Sequence, residues 1–143
     1  MQRTVPWTPA QVYALIADVE RYPEYLPGWR KVSVIRASEE QAEVAQEFGI
    51  GPFSMSFVST AAFLPNENII IRSQAGPFSN LDLRWTFAPV ERGCRVTLII
   101  DAVFRSRLLG GVSGQILEPF AQRMLRAFER RANVLYGAST RHS

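Results

Sequence analysis

The chain of 143 residues carries 16 Lys and Arg against 13 Asp and Glu, a net charge of +3, and 47% of its residues are hydrophobic. These values are typical of one globular domain over residues 1–143 that buries a sizeable core, and they are not those of a disordered or disulfide-rich chain. No run of 18 apolar residues predicts a membrane span, and a single cysteine, Cys94, cannot form an internal disulfide. Because the N-terminus lacks an apolar signal core, we expect a cytoplasmic protein.

Charge is distributed unevenly along the chain. Residues 1–100 carry 9 basic and 10 acidic side chains, whereas residues 101–143 carry 7 arginines and 3 acids. The basic surplus therefore belongs to the C-terminal segment. A solvated helix face explains such a surplus, and an acidic partner such as RNA or anionic lipid explains it as well.

The N-terminal segment predicts a short strand followed by a helix. Arg3 to Trp7 is extended in pattern, and Thr8-Pro9-Ala10-Gln11 has a capping residue, a proline in the first turn and a glutamine at the third helical position. The helix is predicted to run to about Asp18, with four aliphatic side chains facing inward: Val12, Leu15, Ile16 and Val19.

The next segment, Asp18 to Trp29, contains two prolines and predicts a turn or a short helical loop. It holds four large side chains, namely Tyr22, Tyr25, Leu26 and Trp29. This pattern is compatible with two structures, the rim of an apolar pocket or a hydrophobic plug under the loop.

From Lys31 onward the hydrophobic period changes to two. Six segments at hairpin spacing are predicted strands, in the regions of residues 31–34, 42–48, 55–64, 69–73, 81–87 and 94–104. Four of them alternate apolar and polar residues, and the segments 55–64 and 69–73 follow turn residues. Arg3 to Trp7 would make a seventh strand. The pattern predicts one antiparallel meander that is curved and covered on one face.

The last long segment, Val112 to Tyr136, has helical periodicity. One broad face carries apolar residues, namely Leu117, Phe120, Ala121, Met124, Leu125, Phe128, Ala132 and Leu135. Pro119 leaves two alternatives open: the helix begins there, or a shorter segment from about Ser113 precedes a kink. Gly137 is placed to end the helix, and residues 138–143 are predicted to be a disordered tail.

The predicted fold class is α+β, with the long helix lying across the concave side of a curved antiparallel sheet. One helix does not fill a wide concave surface, so strong curvature of the sheet would leave a cavity. The side chains predicted to face inward are apolar, namely Trp85, Phe87, Phe104, Phe120, Met124 and Phe128. A cavity lined in this way predicts an apolar ligand.

Side-chain catalysis is not indicated by the sequence. The single histidine, His142, lies in the predicted tail, which argues against a Ser-His-Asp or Cys-His arrangement. One cysteine and one histidine do not make a metal-ligand spacing. We therefore expect a binding protein, with no catalytic cofactor and no metal.

Two motifs resemble a known family over nearly the whole chain. The segment VYALIADVERYPEYLPGW resembles the helix-and-loop signature of the coenzyme-Q-binding START-domain proteins, within the polyketide cyclase/dehydratase-like superfamily. FRSRLLGGVSG and AFERRANVLYG resemble the C-terminal signature of that family. The residues that match are Asp18, Val19, Tyr22, Pro23, Leu26, Pro27, Phe104, Ser106, Leu108, Leu109, Ala127, Phe128 and Ala132. In one departure, Gly28-Trp29 follows the second loop proline, where many relatives have Trp-Cys.

The resemblance implies a helix-grip (START/Bet v-like) fold with a hydrophobic tunnel between the sheet and the C-terminal helix. It also implies non-catalytic binding of ubiquinone or a similar polyprenyl lipid, in support of the respiratory chain. Bacterial members of the family include ribosome association toxins that bind the large ribosomal subunit. Other members of the superfamily are polyketide cyclases or dehydratases.

Three hypotheses follow, and the first is a carrier of a polyprenyl quinone. Its predicted ligand-binding residues are Tyr22, Leu26, Trp29, Trp85, Phe87, Phe104, Leu108, Phe120, Met124 and Phe128. The second is a ribosome-binding protein, and the third is a cyclase or dehydratase. We also predict a surface that makes peripheral contact with the inner face of the plasma membrane or with another partner. Its residues are Tyr25, Arg105, Arg107, Arg123, Arg126 and Arg130. No interaction with DNA is expected.

Overall fold

The computed structural model describes residues 1–50, 52–105 and 113–137. Within these ranges the elements are β1 (Gln2–Val5), α1 (Pro9–Ala17), a 3-10 helix (Val19–Glu24), β2 (Trp29–Ala37), β3 (Gln41–Ile50), β4 (Phe53–Leu64), β5 (Asn68–Ser73), β6 (Phe78–Val90), β7 (Gly93–Phe104) and α2 (Ser113–Tyr136). The predicted tail at 138–143 lies outside the described residues, as do Arg107 and Leu108.

All seven strands belong to one antiparallel sheet in the order β1-β7-β6-β5-β4-β3-β2. Strands β2 to β7 form a meander, and β1 pairs with β7 at the other edge. The predicted helix-grip architecture and the seventh strand are confirmed. The first strand ends at Val5 rather than at Trp7, but Trp7 is still buried, and its Nε1 donates to the Gly137 carbonyl over 3.3 Å.

Helix α1 begins as the sequence predicts. Thr8 Oγ1 accepts a hydrogen bond from the Gln11 N–H at 3.1 Å, and Gln11 Oε1 accepts one from the Thr8 N–H at 3.0 Å. This reciprocal cap satisfies two backbone donors that the first turn leaves without helical partners. The helix buries Val12, Leu15 and Ile16 against the concave face of the sheet.

Helix α2 is continuous from Ser113 to Tyr136, with Pro119 inside it, so the helix does not begin at Pro119. Its 24 residues extend over roughly 36 Å. Its buried side chains include Ala121, Met124, Leu125, Ala127, Phe128 and Ala132. The predicted apolar face is wrong at Leu135, which is 52% exposed, because Tyr136 makes the last-turn contact instead by donating to the Gln11 carbonyl at 3.0 Å.

The core lies between the inner face of the sheet and both helices. Trp85 and Leu98, opposite each other on β6 and β7, are almost fully buried, as is Ile16 of α1. Within the described residues no helix is long and apolar enough to cross a bilayer.

Candidate ligand-binding cavity

A cavity of about 120 Å³ lies between the inner face of the sheet and the N-terminal half of α2. Within the described part of the chain eleven side chains line it, and all of them are apolar: Trp29, Phe48, Met55, Phe57, Phe78, Leu81, Leu83, Ile100, Phe104, Phe120 and Met124. A cavity of this composition excludes charge and accommodates hydrocarbon or an aromatic ring.

Strand alternation explains why these side chains share one face. Neighbouring residues of a strand point to opposite faces, and residues directly opposite on paired strands point to the same face. The pairs that line the cavity in this way are Phe48 with Met55, Leu83 with Ile100, and Phe78 with Phe104. Phe120 and Met124, one helical turn apart on α2, form the opposite wall.

Aromatic rings form two groups around the cavity. In the first group, Trp29 stacks on Phe120 with ring centroids 5.8 Å apart, and Phe48 meets Trp29 edge-on at 4.9 Å. In the second group, Phe78 lies 5.1 Å from Phe57 and 5.1 Å from Phe104. Each offset or edge-on ring contact contributes about 0.5–1.5 kcal/mol beyond the burial of its apolar area.

Gly28 places Trp29 against Phe48. Its φ of +91° lies in a region that glycine adopts readily, and a Cβ on Gly28 would lie 2.5 Å from Phe48 Cε2. The Gly49 N–H also donates to the Gly28 carbonyl at 2.8 Å. Gly28 therefore has a structural reason in this chain, because its position needs a residue without a side chain.

Four of the ten residues predicted to bind ligand line the cavity, namely Trp29, Phe104, Phe120 and Met124. They come from β2, β7 and α2, and only the tertiary structure brings them together. Leu108 lies outside the described residues.

The other five lie in the packed core next to the cavity: Tyr22, Leu26, Trp85, Phe87 and Phe128 are buried. Phe128 is the centre of this region, with ring centroids 5.4 Å from Trp85 and 5.5 Å from Tyr22. The Tyr22 hydroxyl donates to the Ile16 carbonyl. The sequence was compatible with a pocket rim or a hydrophobic plug in this loop. Tyr22 and Leu26 are buried as in a plug, whereas Trp29 lines the cavity.

Seven cavity residues were not among those predicted, namely Phe48, Met55, Phe57, Phe78, Leu81, Leu83 and Ile100. The period-two pattern does assign several of them to an inner face. The pattern does not indicate where along that face the helices leave space. Without that information the residues that line the cavity are not distinguished from those of the packed core.

Tyr25, one of the predicted contact residues, is half-buried. The Arg131 guanidinium carbon lies 5.0 Å from its ring centroid, and its ring meets Phe128 at 5.6 Å. Its hydroxyl has no hydrogen-bond partner among the described residues. Burial raises the pKa of this hydroxyl well above its usual range.

The predicted arginine contacts are exposed where the structure describes them. Arg105 is exposed and donates to the Gln74 carbonyl, while Arg107 lies outside the described residues. Arg123, Arg126 and Arg130 are exposed along one side of α2, and within the described part of the chain none of them forms an ion pair.

Two other arginines near α2 do have acidic partners. Arg3 Nε lies 2.8 Å from Glu129 Oε1, and Arg131 Nη2 lies 2.9 Å from Glu24 Oε1. The three exposed arginines, called the arginine stripe below, therefore form a surface of uncompensated positive charge.

Titratable chemistry is sparse in the described ranges. No group of three or more His, Cys, Asp and Glu side chains there is placed to hold a metal ion. Cys94 is fully buried, opposite Val5 of β1 and Pro89 of β6, and burial raises the pKa of its thiol, which disfavours the reactive thiolate.

Curated relatives match nearly the whole chain. The ribosome association toxin RatA of Vibrio cholerae is 31% identical over 134 residues, covering 93% of this chain and 93% of its own. The mitochondrial coenzyme Q-binding protein COQ10 homolog B of Xenopus laevis is 24% identical over 132 residues, covering 89% of this chain and 54% of its own.

The fold is shared with solved structures of low sequence identity. The Zhui aromatase/cyclase from Streptomyces sp. R1128 superposes with a TM-score of 0.86 at 17% identity, over 97% of this chain and 94% of that one. The family model described as polyketide cyclase / dehydrase and lipid transport matches residues 5–129. With its START-like sheet, helix and apolar cavity, the chain belongs to the polyketide cyclase / dehydrase and lipid transport family.

Proposed function

We propose that this protein is a non-catalytic carrier of an apolar lipid, most specifically a polyprenyl quinone of the ubiquinone type, and that it supports respiratory electron transport. The observation behind the proposal is the cavity, whose eleven lining side chains are all apolar. A quinone ring and the first part of its isoprenoid tail are largely apolar, as is this lining. The name of the COQ10 relative adds support, since it specifies coenzyme Q binding for that protein.

The size of the cavity limits how the ligand is held. Pockets that enclose drug-sized ligands measure about 300–1,000 Å³. At about 120 Å³ this cavity takes a ring or a short piece of chain, so enclosing more of a polyprenyl tail requires the walls to move. Trp29 and Phe120 are the natural moving parts, because both are only half-buried. Each further Å² of apolar surface removed from water contributes about 25 cal/mol.

The lining also supports binding over catalysis. None of the eleven side chains carries a group that titrates or acts as a nucleophile. Proton transfer and covalent catalysis need such groups within hydrogen-bond reach of the reacting atoms. The aromatase/cyclase likeness, at 17% identity, extends to the fold alone.

Native mass spectrometry of protein purified from a quinone-producing host, followed by solvent extraction, tests the proposal. We expect a polyprenyl quinone at a stoichiometry near one to one. Leu83→Arg, which places a charge in the cavity wall, should abolish co-purification, whereas Leu64→Arg at an exposed site should not. Wild-type protein that is empty, and that takes up no quinone from vesicles, would overturn the carrier function.

A second candidate function, binding to the large ribosomal subunit, is favoured by the arginine stripe. Arg123, Arg126 and Arg130 recur at intervals of three and four residues, so they project from one side of α2 over roughly 10 Å. Exposed arginines without acidic partners suit bidentate contacts with phosphates. The RatA relatives are named for ribosome association.

Co-sedimentation with ribosomal subunits across a salt series tests this candidate. Reversing the three stripe arginines to glutamate should abolish binding and lower the slope of log affinity against log salt by about 2–3. The matched control reverses three exposed cations elsewhere, Lys31, Arg36 and Arg95, and should leave most of the binding intact. Equal effects of the two triple variants would show that only net charge matters and would remove the stripe as an interface.

A further inference from the structure

A row of polar side chains adjoins the apolar cavity. Trp29 Nε1 donates to Gln46 Oε1 at 3.1 Å, and Gln46 Nε2 donates to Ser59 Oγ at 2.6 Å. Ser59 is only 2% exposed, and Gln46 is half-buried. Polar side chains are rare on the inner face of this sheet, so this row needs an explanation beyond solvation.

The direction of each hydrogen bond follows from the chemistry of tryptophan. An indole N–H donates and never accepts, so the atom of Gln46 that faces Trp29 is its carbonyl oxygen. The amide nitrogen of Gln46 then faces Ser59 and donates to its hydroxyl oxygen. The second amide N–H of Gln46 and the Ser59 O–H remain, and neither has an acceptor among the described residues.

The other described polar side chain that is buried on this face, Ser73, has hydrogen-bond partners within the protein. The Ser73 hydroxyl donates to the Val58 carbonyl at 2.7 Å and accepts from the Ala75 N–H at 3.2 Å. Buried donors without an acceptor are costly, more so than acceptors with a free lone pair. The row of Trp29, Gln46 and Ser59 therefore differs from Ser73 in having N–H and O–H donors that no described residue accepts from.

Gln46 and Ser59 are direct neighbours of side chains that line the cavity. Phe57, a cavity residue, is directly opposite Gln46 across the β3–β4 pair, which places their Cβ atoms about 5 Å apart. Phe48, another cavity residue, is two positions along β3 on the same face, and Ser59 is two positions along β4 from Phe57. Trp29 itself belongs both to the cavity lining and to the row.

We infer that Gln46 and Ser59 form a hydrogen-bond-donating subsite at the Trp29 end of the cavity, which binds a carbonyl or ether oxygen on the head of the apolar ligand. This inference rests on the proposed carrier function and specifies the ligand further: a hydrocarbon body that ends in an oxygen acceptor. The apolar lining holds the body, and the spare donors of the row select the head. The ligand oxygen accepts from the second N–H of Gln46 and from the Ser59 O–H, while Gln46 Oε1 keeps its hydrogen bond from the Trp29 indole.

The test compares two probes that differ only in their heads, a benzoquinone with a decyl tail and decylbenzene. Protein is titrated with each probe and the bound fraction is read by native mass spectrometry. We expect wild-type protein to prefer the quinone by about tenfold, which is what one or two buried neutral hydrogen bonds contribute. Ser59→Ala and Gln46→Met should each reduce this preference several-fold while decylbenzene binding persists.

Ser73→Ala is the matched control, because it removes a buried hydroxyl of the same face whose hydrogen bonds are internal. It should lower stability and leave the quinone preference unchanged. Thermal melting verifies that each variant is folded, and Gln46→Met provides the test should Ser59→Ala not fold.

The outcomes separate this inference from the carrier function. Equal binding of the two probes by wild-type protein, or a full quinone preference in folded Ser59→Ala and Gln46→Met, would overturn the subsite and leave apolar binding in place. Binding of neither probe by wild-type protein would overturn the carrier function as well.

Discussion

The inner face of the sheet has two regions that differ in packing although their residues are similar. In the packed region, Trp85 and Leu98 are covered by Phe128 of α2 and by helix α1. In the cavity region, Leu83 and Ile100 lie two positions along the same strands and face a space of about 120 Å³. Residues of both helices pack in the first region, whereas among the described helices only α2 contributes side chains to the lining of the second. The cavity therefore lies where α1 does not cover the sheet.

Helix α2 shows the same difference along its own length. Phe120 and Phe128 are eight residues apart on one face; Phe120 lines the cavity, and Phe128 is buried among the rings of Trp85, Tyr22 and Tyr25. The same residue type on one broad face of the helix thus lines a cavity at one point and packs in the core at the other. Three predictions test how sharply the two regions divide these roles.

The largest expected effect is on stability. Trp85→Ala should lower the free energy of unfolding by about 3–5 kcal/mol, because it empties a closely packed site. Phe104→Ala, at the half-buried wall of the cavity, should cost only about 1–2 kcal/mol. Urea denaturation followed by circular dichroism measures both values. Equal losses would mean that the cavity wall is as tightly packed as the core.

The next prediction enlarges a side chain in each region. Leu98→Phe should destabilise the fold by about 1–3 kcal/mol, because the packed region has no space for the added atoms. Ile100→Phe, two positions along β7, should leave stability unchanged or raise it, because the ring enters the cavity. The same substitution should weaken quinone binding at least several-fold. Destabilisation by both substitutions to the same extent would contradict the division into two regions.

The smallest effect is a pH dependence confined to the packed region. Burial raises the pKa of Tyr22 and of Tyr25 above their value in the unfolded chain, so the folded state retains these protons to higher pH. Their contribution to stability is fully present below pH 10 and is lost as the pH rises above it, by at most about 1.4 kcal/mol per pH unit for each tyrosine. Urea midpoints between pH 8 and pH 11 measure this loss.

Two substitutions separate the tyrosines. Tyr25→Phe should reduce the alkaline loss at little cost at pH 7, because the Tyr25 hydroxyl has no partner among the described residues. Tyr22→Phe should reduce it too but cost about 1 kcal/mol at pH 7, because it removes the hydrogen bond to the Ile16 carbonyl. An alkaline loss that is unchanged in the double variant would assign it to other groups.

Local patterns along the chain were sufficient to predict the elements and the fold class. The Thr8–Gln11 cap, the period-two strands and the apolar face of α2 each depend on residues near one another in sequence, and the structure confirms them. The two end motifs predicted the family, which the match over residues 5–129 confirms. The misplaced boundary at Trp7 and the exposed Leu135 both lie at the ends of elements, where a periodic pattern does not specify the last residue of the element.

The division of the inner face into a packed region and a cavity was decided only by the tertiary structure. Trp85, Phe87 and Phe128 have the same inward, apolar pattern as Phe104 and Phe120, so no sequence pattern separates the two sets. What separates them is where α1 and α2 lie on a curved sheet, which depends on contacts between residues far apart in sequence. The sequence does not predict the donor site at Gln46 and Ser59 either. These residues lie beside Trp29 and next to the cavity only because strands β2, β3 and β4 pair in the folded protein. Local periodicity specifies which side of an element is buried, and the packing of distant elements decides whether that burial leaves a space for a ligand.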